Sequence, residues 1–203
     1  MRLGIFGGSF DPVHTGHLVL AESCRVQANL DQIWFVPCHQ QPHKEEGPIA
    51  TARQRVEMIE FAIAGHDAFA VSKIELERGE VSYTIDTLRE VKQLQPDAEL
   101  FFLMGDDSLE SFASWKEPGE ICNLACPLVV NRPGAGEVDL SPLMQFVDDE
   151  RFELFKTLVI QSPRIEISST DLRERFSQGV SARYLTPRSV EKFIDTQKLY
   201  QRD

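Results

Sequence analysis

An α/β fold with a doubly wound, mostly parallel sheet is the architecture this sequence predicts, and three observations carry the expectation. Short apolar runs alternate along the chain with stretches of helical period, the pattern of parallel strands joined by crossover helices. The runs are apolar throughout rather than at every second residue, as strands covered on both faces are. No Pro/Gly/Ser-rich linker interrupts the 203 residues, which suffice for one substantial core. A single domain over 1–203 is expected, with a C-terminal helical part over about 168–203.

The elements follow in order. Leu3 to Phe6 reads as a buried strand that breaks at Gly7-Gly8 and re-enters a helix over about 16–28. Further strands are expected at 31–36, 69–76, 98–104, 127–131 and 157–161. Helical patterns fill 52–64, 84–94, 106–113, 170–178 and 187–197. Thr51 with Gln54 resembles a capping box, and Thr186-Pro187 reads as an N-cap followed by proline at the first helical position. In the last helix Val190, Phe193 and Ile194 share a face and should dock on the core. Ligands of such sheets bind beyond the carboxyl ends of the strands.

The segment Gly7-Gly8-Ser9-Phe10-Asp11-Pro12-Val13-His14-Thr15-Gly16-His17 lies at such an end. Main-chain N–H groups at a helix start are unsatisfied, and glycines let a ligand approach them closely, so phosphate is the natural guest. His14 and His17, three residues apart, fall on one helix face and can turn to the same phosphate. The segment is neither a G-x-G-x-x-G fingerprint nor a Walker loop. A zinc site would need a third ligand. Ser168-Ser169-Thr170 precede another helical pattern; they suit a plain N-cap, and equally an anion site completed by Arg173 one turn on.

A net charge of −11 argues against a nucleic-acid partner and leaves polyanionic ligands to a local positive patch. The four cysteines, 24, 38, 122 and 126, form no C-x-x-C pair and read as free thiols; Cys38-His39 with His43 reads as an ordinary polar loop. Neither a signal-length apolar stretch nor a membrane span is visible, so a cytoplasmic location is the expectation.

GGSFDPVHTGH resembles the first motif of the nucleotidyltransferase superfamily with its T/HxGH signature, and its extended form is similar above all to the bacterial nicotinate-mononucleotide adenylyltransferases. Ile167-Ser168-Ser169-Thr170-Asp171-Leu172-Arg173 resembles that family's ISSTxIR motif, with Leu172 for the usual Ile. Ser82 to Leu88, Gly105 to Leu109 and Arg132-Pro133-Gly134 stand between them in family order. The resemblance implies a Rossmann-like nucleotidyltransferase fold, transfer of AMP from ATP to nicotinate mononucleotide, and Mg²⁺ bound mainly through the phosphates. His14 and His17 would be catalytic. Gly7, Gly8, Ser9, Phe10, Gly105, Asp107, Arg132, Ser168, Ser169, Thr170 and Arg173 would bind ATP, and Lys44, Thr84, Trp115 and Lys116 the acceptor. A solvated surface lysine is the other reading of Lys44, and a core-boundary aromatic beside Phe112 the other reading of Trp115. Where the family commonly follows this tryptophan with an aromatic or histidine, the chain has Lys116-Glu117-Pro118. Alternatives are a superfamily member acting on phosphopantetheine or transferring CMP, a nucleotide-binding module with a dead site, and a tRNA-synthetase fragment. ISSTDLR, the intact histidines with Arg173, and the missing basic surface argue against these in turn. Oligomeric state, monomer or homo-oligomer, stays open.

Overall fold

β1 (Arg2–Gly8) takes the middle of the sheet because Leu3, Gly4, Ile5 and Phe6 are buried in succession, as only a strand covered on both faces can be. The structure, a computed structural model, describes residues 1–42, 47–131 and 138–201. Among these residues one six-stranded sheet adds β2 (Gln32–Pro37), β3 (Phe69–Val71), β4 (Glu99–Gly105), β5 (Ala125–Asn131) and β6 (Ile160–Gln161). The order is β3-β2-β1-β4-β5-β6, and each neighbouring pair is parallel. The chain winds outward from β1 to β3, returns, and winds out the other way from β4 to β6. Its direction reverses between β1 and β4, which pair at Ile5 and Phe102, so the loops after these two strands diverge and leave a crevice.

Helices cover both faces. α1 (Thr15–Gln27) follows β1, and α2 (Ala52–Ile63) lies between β2 and β3. α3 (Ile74–Arg78) and α4 (Thr84–Leu94) lead to β4. α5 (Asp106–Glu110), a 3₁₀ turn (Phe112–Ser114) and α6 (Pro118–Leu124) lead to β5. α7 (Ser141–Met144) and α8 (Asp149–Lys156) precede β6, while α9 (Ser169–Ser177) and α10 (Arg188–Gln197) follow it. No helix among the described residues is long and apolar enough to cross a membrane.

All six expected strands are present, with two shortened: the run at 157–161 is a strand only at Ile160–Gln161, after a turn at 157–158. The apolar run at 69–76 ends as a strand at Val71, and Ile74 and Glu75 are buried on a short helix instead. Gly79, at φ 71°, closes that helix in the left-handed region. The expected helix 106–113 divides into α5 and the 3₁₀ turn. α6, α7 and α8 are too short for periodicity to reveal; α6 starts with Pro118 after Glu117 in the left-handed region. The Thr51–Gln54 capping box forms as the sequence predicts. The Thr186-Pro187 reading is corrected. Pro187 itself is the N-cap of α10, and the Thr186 hydroxyl donates instead to the Val13 carbonyl at 2.8 Å, a tertiary bond that outcompetes the local cap. Val190 and Ile194 are buried as expected, and Phe193 packs on Phe61 of α2 with ring centroids 5.5 Å apart.

Candidate active site

α1 begins at the mouth of the crevice, and the two histidines of the first motif build its start. The Nδ1 of His14 accepts the main-chain N–H of His17 at 3.3 Å, while the Nδ1 of His17 accepts that of His14 at 3.2 Å. The pair is thus a reciprocal capping box made of imidazoles, with the rings stacked 3.6 Å apart. Gly16 makes room for it, since a Cβ there would sit 3.0 Å from His14 Nδ1. An Nδ1 that accepts carries no proton, so in the neutral ring the proton lies on Nε2, and each histidine is a donor at its outer nitrogen. Burial lowers His14 to about 4 and lowers His17 well below its ordinary value, the neighbouring His14 adding to the second shift. Both rings are therefore neutral donors at physiological pH.

The loop ahead of the helix is held from beneath. Phe10, in the left-handed region at φ 47°, buries its ring against Phe6, Phe35 and His17. Gly8 allows this close approach, because a Cβ would meet the Phe10 ring at 3.1 Å. The Phe10 side chain thus serves the core and leaves only its main chain to a ligand. Arg55 of α2, 2% exposed, donates to the carbonyls of Ser9 at 2.8 Å and Cys38 at 2.7 Å, and so ties the ends of β1 and β2 together. The Asp11 carboxylate accepts the amides of Ile49 at 2.8 Å and Ala50 at 3.1 Å and the phenol of Tyr200 at 2.6 Å. Sequence reasoning passed over Arg55 and Tyr200. The burial of Val56, Met58 and Ile59 around it is the one local hint for Arg55.

The two end motifs meet across more than 150 residues of sequence separation. Ser168 caps α9 by accepting the amide of Asp171 at 3.0 Å. Ser169 donates to the Pro12 carbonyl at 2.9 Å, and Arg173 to the Asp11 carbonyl at 2.7 Å and to Thr170 Oγ1 at 3.2 Å. Of the two readings of this helix start the structure displays the cap, at Ser168, while Thr170 is exposed and Arg173 half-buried beside the histidine loop.

On the other side of the crevice, Gly105 ends β4 and is the N-cap of α5, with Asp107 exposed in its first turn. Thr84 opens α4, whose N-cap Tyr83 provides no side-chain bond to the free amides. Trp115 is half-buried against Phe112, with ring centroids 5.3 Å apart, so it is a boundary aromatic with one face left to solvent. Lys116 reaches back to α4: its Nζ lies 2.8 Å from the Asp86 carboxylate and 4.8 Å from the centroid of the Tyr83 ring. Arg89 grips Glu117 through two bonds, at 2.6 and 3.1 Å. Beneath α4, Thr87 donates to the buried Glu75 at 2.6 Å, and burial pushes that carboxyl up. Lys44, Arg132 and His43 lie outside the described residues.

The cytidylyltransferase-like family model matches residues 5–175, which include both histidines and Arg173. A probable nicotinate-nucleotide adenylyltransferase of Salinibacter ruber is 41% identical over 201 residues, covering 99% of this chain and 98% of that protein. One of Herpetosiphon aurantiacus is 43% identical, covering 98% of each. Among solved structures, Plasmodium falciparum nicotinic acid mononucleotide adenylyltransferase complexed with NaAD shares the fold, with a TM-score of 0.72 at 20% identity over 98% of this chain and 97% of that one.

Proposed function

The chain belongs to the nicotinate-nucleotide adenylyltransferase family of the cytidylyltransferase-like group, and from that premise we propose how its site works. It moves the adenylyl group of ATP onto nicotinate mononucleotide, giving nicotinate adenine dinucleotide and pyrophosphate, a step of NAD biosynthesis. The observation that carries this reading is the histidine capping box: two neutral rings with Nε2–H groups facing outward at a helix N-terminus, beside Arg173.

Adenylyl transfer is an in-line displacement at the α-phosphorus. The attacking phosphate is already ionised at neutral pH, so no general base is required. Catalysis then reduces to positioning the reactants and stabilising charge as it spreads over the α-phosphate and onto the departing pyrophosphate. Neutral donors fit that task. His17 would serve the transition state and His14 the phosphates of bound ATP. Main-chain N–H groups of the Gly7 to Phe10 loop and the Ser168-Ser169-Thr170 helix start would add donors, with Arg173 supplying positive charge. Asp107 would hold a ribose hydroxyl, with Gly105 letting the nucleotide approach. Trp115 would stack on the pyridine ring, and the amides of Thr84 and Lys116 would take its carboxylate. Lys44 and Arg132 would complete the positive patch. The whole chain, 1–203, would act as one domain, its part from about 168 onward lending the ATP side its last helix start.

No group of three or more His, Cys, Asp and Glu among the described residues is placed to hold a metal ion. Mg²⁺ would arrive on ATP and stay with its phosphates. It would supply charge neutralisation on the pyrophosphate, beside Arg173 and the histidines. The test is a pyrophosphate-release assay with ATP and a panel of phosphate acceptors. Release with nicotinate mononucleotide, and its loss on chelation, is the expected outcome; release only with another acceptor would overturn the assignment.

A further inference from the structure

We propose that Tyr200 is a positioning residue for ATP binding: its phenol holds the Asp11 carboxylate so that the Arg173 guanidinium, bonded to the Asp11 carbonyl and to Thr170, is not drawn off into a closed ion pair. This rests on the assignment of Arg173 to the ATP phosphates.

Asp11 is 2% exposed, and a carboxylate so placed needs every donor it can find. Its Oδ2 accepts Ile49 N–H, and its Oδ1 accepts Ala50 N–H and, at 2.6 Å, the Tyr200 hydroxyl, the shortest of the three bonds. Among the described residues the cation paired with it is Arg173, whose Nη1 stops 4.0 Å from Oδ2 and donates to the Asp11 main-chain carbonyl instead. Arg173 therefore stands at the edge of a full ion pair that it does not close. A buried carboxylate deprived of a donor draws the adjacent guanidinium, and a charge-assisted pair of that kind is strong. The guanidinium would then turn inward, away from the crevice.

The chain goes to some length to place the phenol. After α10 it turns through two residues in the left-handed region, Lys198 at φ 53° and Tyr200 at φ 62°. For residues other than glycine this backbone region is strained. The Tyr200 ring is buried and lies 6.2 Å from the ring of Phe176, on the same helix as Arg173. Burial, with the Asp11 charge second, raises the phenol above its ordinary value, so it remains a donor across the working pH range.

The test is a double-mutant cycle on the full chain, read as the dissociation constant for Mg-ATP by titration calorimetry without acceptor. Tyr200→Phe keeps the ring and removes only the donor. It should weaken Mg-ATP binding about tenfold, the scale of a hydrogen bond to a charged group, while kcat at saturating ATP and KM for nicotinate mononucleotide change less than threefold. In an Arg173→Ala background the same substitution should cost less than twofold, because the residue it protects is gone. Unchanged binding in Tyr200→Phe overturns the proposal, as does an equal loss in both backgrounds. A Tyr200→Phe chain without native circular dichroism also overturns it, since the phenol would then support the fold alone. Wild-type protein that binds Mg-ATP but transfers nothing to nicotinate mononucleotide would refute the proposed reaction and leave the cycle readable. Wild-type protein that does not bind Mg-ATP refutes both.

Discussion

His14 and His17 each close the helix start with Nδ1, and in the proposed reaction each would offer Nε2 to the substrate. The arrangement bears on pH. Below the ordinary histidine value the unfolded chain takes up protons that the folded rings refuse. Stability from this source is thus complete above about pH 6.5, declines as pH falls, and is lost by about pH 4, where His14 titrates. The change amounts to up to roughly 3 kcal/mol for His14. Denaturant midpoints between pH 4 and 8 should follow that course, whereas turnover should show no ionisation limb from these rings between pH 6 and 8. A rate limb centred near 6.5 that vanishes with either histidine would contradict the neutral-donor reading. His17→Ala should lower turnover by roughly a hundredfold or more with the fold intact, as loss of one transition-state donor does. Near-normal turnover in that variant would remove His17 from the catalytic assignment.

Among elements, the start of α1 carries the most information, because its cap and its chemistry share atoms. Gly16→Ala separates the two. Alanine is the better helix former by about 1 kcal/mol, yet its Cβ would press on His14 Nδ1 from 3.0 Å. The gain in propensity and the strained cap should nearly cancel, leaving the thermal midpoint within a few degrees, while turnover falls at least tenfold as the His14 ring moves. Unchanged turnover would mean that the site tolerates a displaced ring. The loop after Trp115 makes a different point about elements. Its Lys116–Asp86 and Arg89–Glu117 pairs are exposed and individually weak, but both run from this loop to α4, joining the two elements assigned to the acceptor.

At the scale of the molecule, the proposed acceptor pocket would draw on α4 and on the loop after β4, on one side of the sheet reversal. Nicotinate mononucleotide should be strongly preferred over the nicotinamide form. Main-chain N–H donors from Thr84 and Lys116 would welcome a carboxylate, whereas an amide NH₂ would set donor against donor and leave buried groups unpaired. Preference in sites built on hydrogen bonding reaches roughly a thousandfold. The Lys116 ammonium is already balanced by Asp86, so the main-chain donors carry the expectation. Comparison of kcat/KM for the two mononucleotides at saturating ATP decides it, and equal values would show that the pocket is built otherwise.

The parallel sheet, its six strands, the glycine break and the histidine pair were legible in the sequence, because each follows from local periodicity or from residues close together in the chain. So was the Thr51–Gln54 cap, which closes over three residues. The short helices α6 to α8 escaped, since fewer than three turns leave no period to read. What only the tertiary structure decided is how distant groups share partners. Thr186, a good N-cap by its neighbours, gave its hydroxyl to Val13. The Asp11 carboxylate is shared by the Ile49 and Ala50 amides and Tyr200, with Arg173 beside it. Local propensity is worth about 1 kcal/mol at a cap, and a buried charge left without partners costs several times that. Where the two compete, burial wins, and burial is a property of the folded chain alone.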